Sequence, residues 1–218
     1  MSKRKGMTKK ELRAPDEFQA LVLELTERYG HYWKIALAVI VLIIVIPLSI
    51  TGYNYYNNKK ENNAALGYTQ LTNSVKNLNL SEKLNKIDTF IENHQGTKAS
   101  FFAMLLKGKL LFNDNKFNEA LKVYNLIADN SPKEEFKTLA KLNIALCNEK
   151  LGNRKKAESI LKSLQYDSIA GADATFYLAK LYEKENKIAE AKNLYQEIVD
   201  KYKNYPYYRI AEIKTSLL

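Results

Sequence analysis

Chemistry at neutral pH needs side chains that titrate or attack near pH 7, and this chain of 218 residues has few. His31 and His94 are its two histidines, and Cys147 is its one cysteine. One cysteine rules out any multi-thiolate metal site, and two histidines leave little for a histidine-based one. A single thiol also excludes an intrachain disulfide. No G-x-S-x-G, H-E-x-x-H, phosphate-binding glycine loop or C-x-x-C occurs. Cys147, between Leu146 and Asn148 on a helical pattern, reads as a packed, inert thiol with no nearby histidine to activate it. His94 follows Asn93 at a helix end, where it suits the C-terminal dipole, and His31 borders an apolar stretch. Acid pairs such as Glu134-Glu135 fit a solvated helix face. The expectation is no catalytic residue, no cofactor and no metal site, and therefore not an enzyme.

The elements that remain are those of a helical protein. Apolar residues make up 46% and charged residues 27%, which excludes a disordered chain. Four Pro and eight Gly are too few for a turn-rich β-sandwich. The net charge is +10, but beyond residue 34 the bases are dispersed among acids. A nucleic-acid reader concentrates Lys and Arg on one face, so a nucleic-acid partner is not expected. Solvated, lysine-rich helix surface accounts for the charge.

Residues 35–50 read IALAVIVLIIVIPLSI, with twelve of sixteen Leu, Ile or Val. Those twelve contribute about −4 to −7 kcal/mol towards insertion into a bilayer. No charge lies between Lys34 and Lys59, and the 24 residues between them exceed the roughly 20 that a spanning helix needs. Tyr32 and Trp33 stand at one edge, and Tyr53, Tyr55 and Tyr56 at the other, as expected of interfacial anchors in the two headgroup layers. Pro47 is expected to kink the helix without preventing a span. Eight Lys and Arg occur up to Lys34, whereas only Lys59 and Lys60 follow closely. The positive-inside rule then puts the N-terminus in the cytoplasm and the remainder across the inner membrane, in a Gram-negative periplasm. A cleaved signal peptide fits less well, because the leader is long and no A-x-A site follows.

Three segments are therefore expected: a cytoplasmic tail at 1–33, a transmembrane helix at 34–56 and a helical domain at 60–218. In the tail, residues 1–13 are basic and Pro15-Asp16 looks like a helix start. Phe18, Leu21, Val22, Leu25 and Tyr29 then mark one apolar helical face, and Gly30 ends or bends the helix. That face suits docking on a membrane partner or on the inner leaflet, and an ordinary juxtamembrane helix that only extends the anchor carries the same pattern.

The distal region repeats. FNEALKVY (117–124), RKKAESIL (154–161) and IAEAKNLY (188–195) align on Ala120, Ala157 and Ala191, which are 37 and 34 residues apart. Twelve residues before each alanine stands another small residue, Gly108, Ala145 or Ala179. Four residues after it stands a large one, Tyr124, Leu161 or Tyr195. Asn113-Asp114-Asn115, Gly152-Asn153 and Glu185-Asn186 lie between the paired segments as turns. A helix–turn–helix unit with a period near 34 follows, its small residues letting two helices approach closely while the large one fills space. Each hairpin needs neighbours to bury its apolar face, so the hairpins stack into a superhelix.

These residues resemble the tetratricopeptide repeat. Units at about 101–134, 138–171 and 172–205 fit, with Asn148 and Lys107 as departures from an aromatic and a leucine. A degenerate pair at about 62–94 precedes them, marked by Leu84, Ile87, Phe90 and Ile91, and a capping helix at about 205–217 follows. The fold expected is thus all-α: one N-terminal transmembrane helix, then a solenoid of about three to four hairpins with a C-terminal cap.

With ADATFYLAKLYEKENKIAEAKNLYQEIV (172–199) and YRIAEIKTSLL (208–218), the whole order resembles membrane-anchored tetratricopeptide proteins related to the ancillary subunit of the bacterial Sec translocon. The resemblance implies a periplasmic interaction domain near the translocon that passes emerging polypeptides to chaperones. The expected partners are proteins, such as the Sec translocon and periplasmic chaperones, together with the lipid bilayer. The repeat's usual inward positions correspond to Lys109, Asn113, Lys150, Lys180 and Lys184, a groove suited to acidic or extended polypeptide. Two other roles stay open: a scaffold for another envelope complex, in division or outer-membrane assembly, or a signalling adaptor acting through the tail.

Overall fold

The structure, a computed structural model, describes residues 17–218. The basic run at 1–13 and the expected helix start at Pro15-Asp16 lie outside the described residues, as do the side chains of Glu17, Phe18, Trp33 and Ala36. Among the described residues there are ten α-helices and no strand. They are α1 (Glu17–Tyr29), α2 (Trp33–Ser74), α3 (Leu80–Asn93), α4 (Lys98–Asn113), α5 (Phe117–Asn130), α6 (Glu134–Lys150), α7 (Arg154–Leu164), α8 (Gly171–Lys184), α9 (Ile188–Lys201) and α10 (Tyr208–Leu217). The chain divides into two compact units, with the boundary after Asn58.

The first unit holds α1, a 3-10 turn at Gly30–Tyr32 and the apolar part of α2. From Ile35 to Ile50 every described aliphatic side chain is exposed, which is the reverse of a soluble core helix. Pro47 lies inside the continuous helix. Ser49 and Thr51 donate their hydroxyl hydrogens back to Val45 O at 2.8 Å and Pro47 O at 2.9 Å, so these polar groups are satisfied within the helix. This is a helix long and apolar enough to cross a membrane.

The sequence separates the apolar stretch from the first, degenerate hairpin, but the chain runs the two as one helix of 42 residues. Nothing between Tyr53 and Leu66 breaks a helix, since that segment has neither Gly nor Pro. The distal part of α2 packs with α3 and α4 around Ala64, Leu71, Val75, Ile87, Phe90, Ala99 and Ala103. Gly67 permits that approach, because a Cβ there would lie 3.1 Å from the Phe90 ring. Lys60 Nζ donates to Gln95 O at 2.9 Å, and Glu61 accepts from Lys98 N at 3.1 Å at the start of α4. A capping box starts α3: Glu82 N donates to Asn79 Oδ1 at 3.0 Å, and Asn79 N to Glu82 Oε2 at 3.2 Å.

Three hairpins follow, α4–α5, α6–α7 and α8–α9, and their turns are built alike. Asn115, Gly152 and Asn186 take positive φ of 61°, 83° and 61°, a region that Asn and Gly enter most readily. In each turn the next N–H reaches back five residues: Lys116 to Leu111 O (2.9 Å), Asn153 to Asn148 O (2.8 Å) and Lys187 to Tyr182 O (2.9 Å). A second bond reaches back three, from Asn115, Gly152 and Asn186. That pair of bonds closes a helix end by satisfying its last carbonyls. The turn residues are spaced as Ala120, Ala157 and Ala191 are, so one local rule sets the period.

Two further cores fill the stack. One gathers Phe101, Leu111, Tyr124, Ile127, Phe136, Ile144 and Cys147; the other gathers Leu161, Phe176, Leu178, Leu181, Tyr195, Ile198 and Ala211. The last helix, α10, lies on the final hairpin and buries Ala211 alone.

Candidate functional site

The nine small and large repeat positions are all buried: Gly108, Ala120, Tyr124, Ala145, Ala157, Leu161, Ala179, Ala191 and Tyr195. Their packing is tightest in the α4–α5 hairpin. A Cβ on Gly108 would stand 2.6 Å from Cε1 and Cζ of Tyr124, so this ring occupies the place of the missing side chain. Tyr124 also belongs to the same core as Ile144 and Cys147 of the next hairpin, and therefore serves both contacts. Burial raises its hydroxyl pKa, with a smaller contribution from Cys147.

The two departures from the repeat pattern have local explanations. Lys107 extends to Asp88 of α3, 2.6 Å away, and ties the degenerate hairpin to the first regular one. Asn148 is buried, donates to Ile144 O at 2.8 Å and accepts from Asn153 Nδ2 at 3.3 Å. It therefore braces the turn where an aromatic would fill space. Cys147 is fully buried, and burial pushes its thiol up to about 11, which disfavours the reactive thiolate. Among the described residues no group of three or more His, Cys, Asp and Glu is placed to hold a metal ion.

Of the five lysine and asparagine positions assigned to a groove, the structure brings two together. Lys180 and Lys184 share a cleft of about 480 Å³ with Phe176, Glu183, Tyr195, Ile210 and Lys214. Phe176, Lys180, Glu183 and Lys184 stand at i, i+4, i+7 and i+8 of α8, so one helix face supplies them. Tyr195 comes from α9, and Ile210 and Lys214 from α10. Lys109, Asn113 and Lys150 are exposed and lie outside this cleft.

The cleft has an aromatic floor and a charged rim. Phe176 stacks on Tyr207 at 4.5 Å between ring centroids. The Lys180 ammonium stands 5.6 Å and 5.7 Å from the centroids of Phe176 and Tyr177, within cation–π range. Lys184 pairs with Glu149 of α6, and Lys214 with Glu183. Tyr195 donates to the other Glu183 oxygen at 3.0 Å. The hydrogen bond from Lys214 holds the Glu183 carboxyl below the usual range against a smaller opposing effect of burial. Lys184 and Lys214 already meet carboxylates, so the cation this surface offers an acidic group is Lys180, above the rings. Ile210 and Lys214 escaped the sequence reading because α10 lies outside the repeat register, and Glu183 because its partner Lys214 comes from that helix.

A second depression of about 430 Å³ lies between α2 and α4, lined by Glu61, Asn62, Ala65, Tyr68, Lys98, Ala99 and Phe102. Phe102 is 46% exposed, and its ring meets those of Tyr68 at 6.0 Å and Phe136 at 4.9 Å. The sequence signal was the Phe101-Phe102 pair: neighbours on a helix point about 100° apart, so one buried stripe cannot hold both.

At the apolar helix, Tyr32, Tyr53, Tyr55 and Tyr56 are exposed at the two ends of the aliphatic run. Along a straight helix, Tyr32 and Tyr53 would be separated by about 31 Å, close to the hydrocarbon thickness of a bilayer. The Trp33 side chain, assigned to the same belt, lies outside the described residues.

Comparison with known proteins places these features. A tetratricopeptide repeat protein from Parabacteroides merdae has a similar solved structure, with a TM-score of 0.52 at 13% identity, covering 72% of this chain and 59% of that one. The chain therefore spans less than two thirds of that relative's length. The MamA RS-1 ArsTM double mutant gives a TM-score of 0.49 at 17% identity, covering 63% of this chain and 74% of that one. No curated protein matches the chain. The model of the tetratricopeptide repeat-like domain matches residues 28–216, nearly the whole length, and so the chain belongs to that family of helical-repeat proteins.

Proposed function

We propose that this protein is a non-enzymatic scaffold, held in the inner membrane by one span and binding proteins on the far side. The observation that carries the reading is α2 itself. One helix begins as an exposed aliphatic rod and continues, without a break, into the packing of the first hairpin. Residues 34–56 are the span, 1–33 the cytoplasmic tail and 60–218 the periplasmic repeat domain. The excess of Lys and Arg before the span supports this direction. Tyr32, Trp33, Tyr53, Tyr55 and Tyr56 are its interfacial anchors.

The repeat domain binds extended polypeptide in the cleft that Phe176, Lys180 and Lys184 line. Its location and its resemblance to the ancillary Sec-translocon subunit favour a role beside the translocon, handling exported proteins together with periplasmic chaperones. The test is protease protection in spheroplasts combined with crosslinking and mass spectrometry. Residues 60–218 should be digested only from the outside, and translocon subunits or chaperones should be among the crosslinked partners. The double variant Lys180→Glu/Lys184→Glu should weaken those crosslinks while leaving the span inserted. Protection of the repeat domain in spheroplasts would overturn the topology, and crosslinks confined to unrelated envelope complexes would overturn the translocon assignment.

A further inference from the structure

We propose that α1 is a second membrane-contacting element, lying along the surface of an anionic bilayer with Leu21, Val22, Leu25 and Tyr29 in the headgroup–acyl boundary. Those four side chains fall within about 100° of arc on the helix, with Arg28 at the edge of the stripe beside Leu21, and Glu24 and Glu27 further round the helix, where Leu23 is also exposed. Every described side chain of α1 is exposed, and the four are 41–56% accessible. An apolar stripe left open in this way needs a cover.

Covalent continuity identifies the cover as lipid. Only Gly30–Tyr32 separates α1 from α2, and three residues reach at most about 10 Å. If α2 spans, the Tyr29 end of α1 is held within that distance of the bilayer, where lipid is always at hand and a protein partner is not. With 13 residues, α1 is too short to span, since a crossing takes about 20. It is amphipathic, as interfacial helices are. Charge favours an anionic surface through the preceding run, since residues 1–13 carry six Lys and Arg against one acid, whereas α1 itself carries three Glu against Arg28.

This inference rests on the reading of α2 as a span, and the experiment separates the two. The full chain, with Cys147→Ser to remove the native thiol, is reconstituted in vesicles of phosphatidylcholine and phosphatidylglycerol. Spin labels are attached at Leu21→Cys, Leu25→Cys, Glu24→Cys or Glu27→Cys, with Ile43→Cys as the control within the span. Collision with oxygen reports lipid, and collision with a water-soluble nickel chelate reports solvent. The oxygen-to-nickel ratio should be higher at 21 and 25 than at 24 and 27, as for a face immersed at the acyl boundary. Equal ratios at the four positions, with oxygen favoured at 43, would overturn the surface role and leave the span standing. Low access of both reagents at 21 and 25 would mean a protein cover and would also overturn it. Nickel access at 43 would remove the span, and this inference with it.

Discussion

Replacing Gly108 by alanine tests the packing rule of the repeat at its tightest point. In an open helix this change stabilises by about 1 kcal/mol, because glycine is the poorer helix former. Here the added Cβ would stand 2.6 Å from two carbons of the Tyr124 ring, well inside van der Waals contact. The ring is 1% exposed and has little room to withdraw. Overpacking of this kind costs about 1–3 kcal/mol, so the net expectation is a loss of about 1 kcal/mol or somewhat more. For a domain of this size that lowers Tm by about 2–6 °C. The third hairpin does hold an alanine, Ala179, with a tyrosine, Tyr195, but there Glu183 accepts the hydroxyl's hydrogen bond. The position equivalent to Glu183 in the first hairpin is Phe112, which offers no such acceptor. The second hairpin indicates the compensation, since it combines Ala145 with Leu161. Tyr124→Leu alone leaves a cavity and costs about 2–4 kcal/mol. The double variant Gly108→Ala/Tyr124→Leu should cost less than the sum of the singles by about 1 kcal/mol. Thermal and urea unfolding of the full chain in mild detergent, followed by circular dichroism, measures all four corners of the cycle. A Gly108→Ala variant that melts higher than the parent, or a cycle with no coupling, would refute the reasoning.

Other outcomes follow from the same contacts. Cys147, with its thiol pushed up to about 11, should resist maleimide at pH 8 in the folded protein and react fully in denaturant. Asn115→Ala, at a φ of 61°, should cost about 1 kcal/mol, whereas Asn115→Gly should be close to neutral; urea midpoints distinguish the two. Asp167 accepts from Ile169 N at 2.8 Å and Ala170 N at 3.0 Å, and the bond from Ala170, followed by that from Ile169, holds its carboxyl below the ordinary range. A depressed carboxyl stabilises fully above its unfolded value of about 3.9 and loses that contribution as pH falls through the folded value. Asp167→Ala should therefore cost about 1–2 kcal/mol at pH 7 and progressively less in acid, read from melting curves across pH.

The division between the two sources of information has a physical basis. Periodicity in one dimension was enough for the hairpins, because each is a local object. A small residue, a turn residue and a large residue recur at set spacings, and helix geometry converts those spacings into contacts within about 34 residues. The apolar rod was legible for the same reason, since its length and lack of charge are properties of the chain alone. Asn115 and Asn186 were legible as turns, though not as the left-handed residues that close the helix ends. What the linear pattern left open was every contact made between units that share no register. Lys107 looked like a defect until Asp88, nineteen residues away, supplied its partner. Asn148 looked like a missing aromatic until its side chain was seen bracing its own turn. The cleft over Phe176 needed α10 to add Ile210 and Lys214, and α6 to anchor Lys184 through Glu149. The sequence also left open whether the apolar rod and the first hairpin share a helix, and the structure runs α2 through both. Composition and spacing determined which residues are helical and which face each helix buries; the tertiary structure determined which of the remaining faces meet, since charge pairing and cleft formation depend on neighbours that no local rule selects.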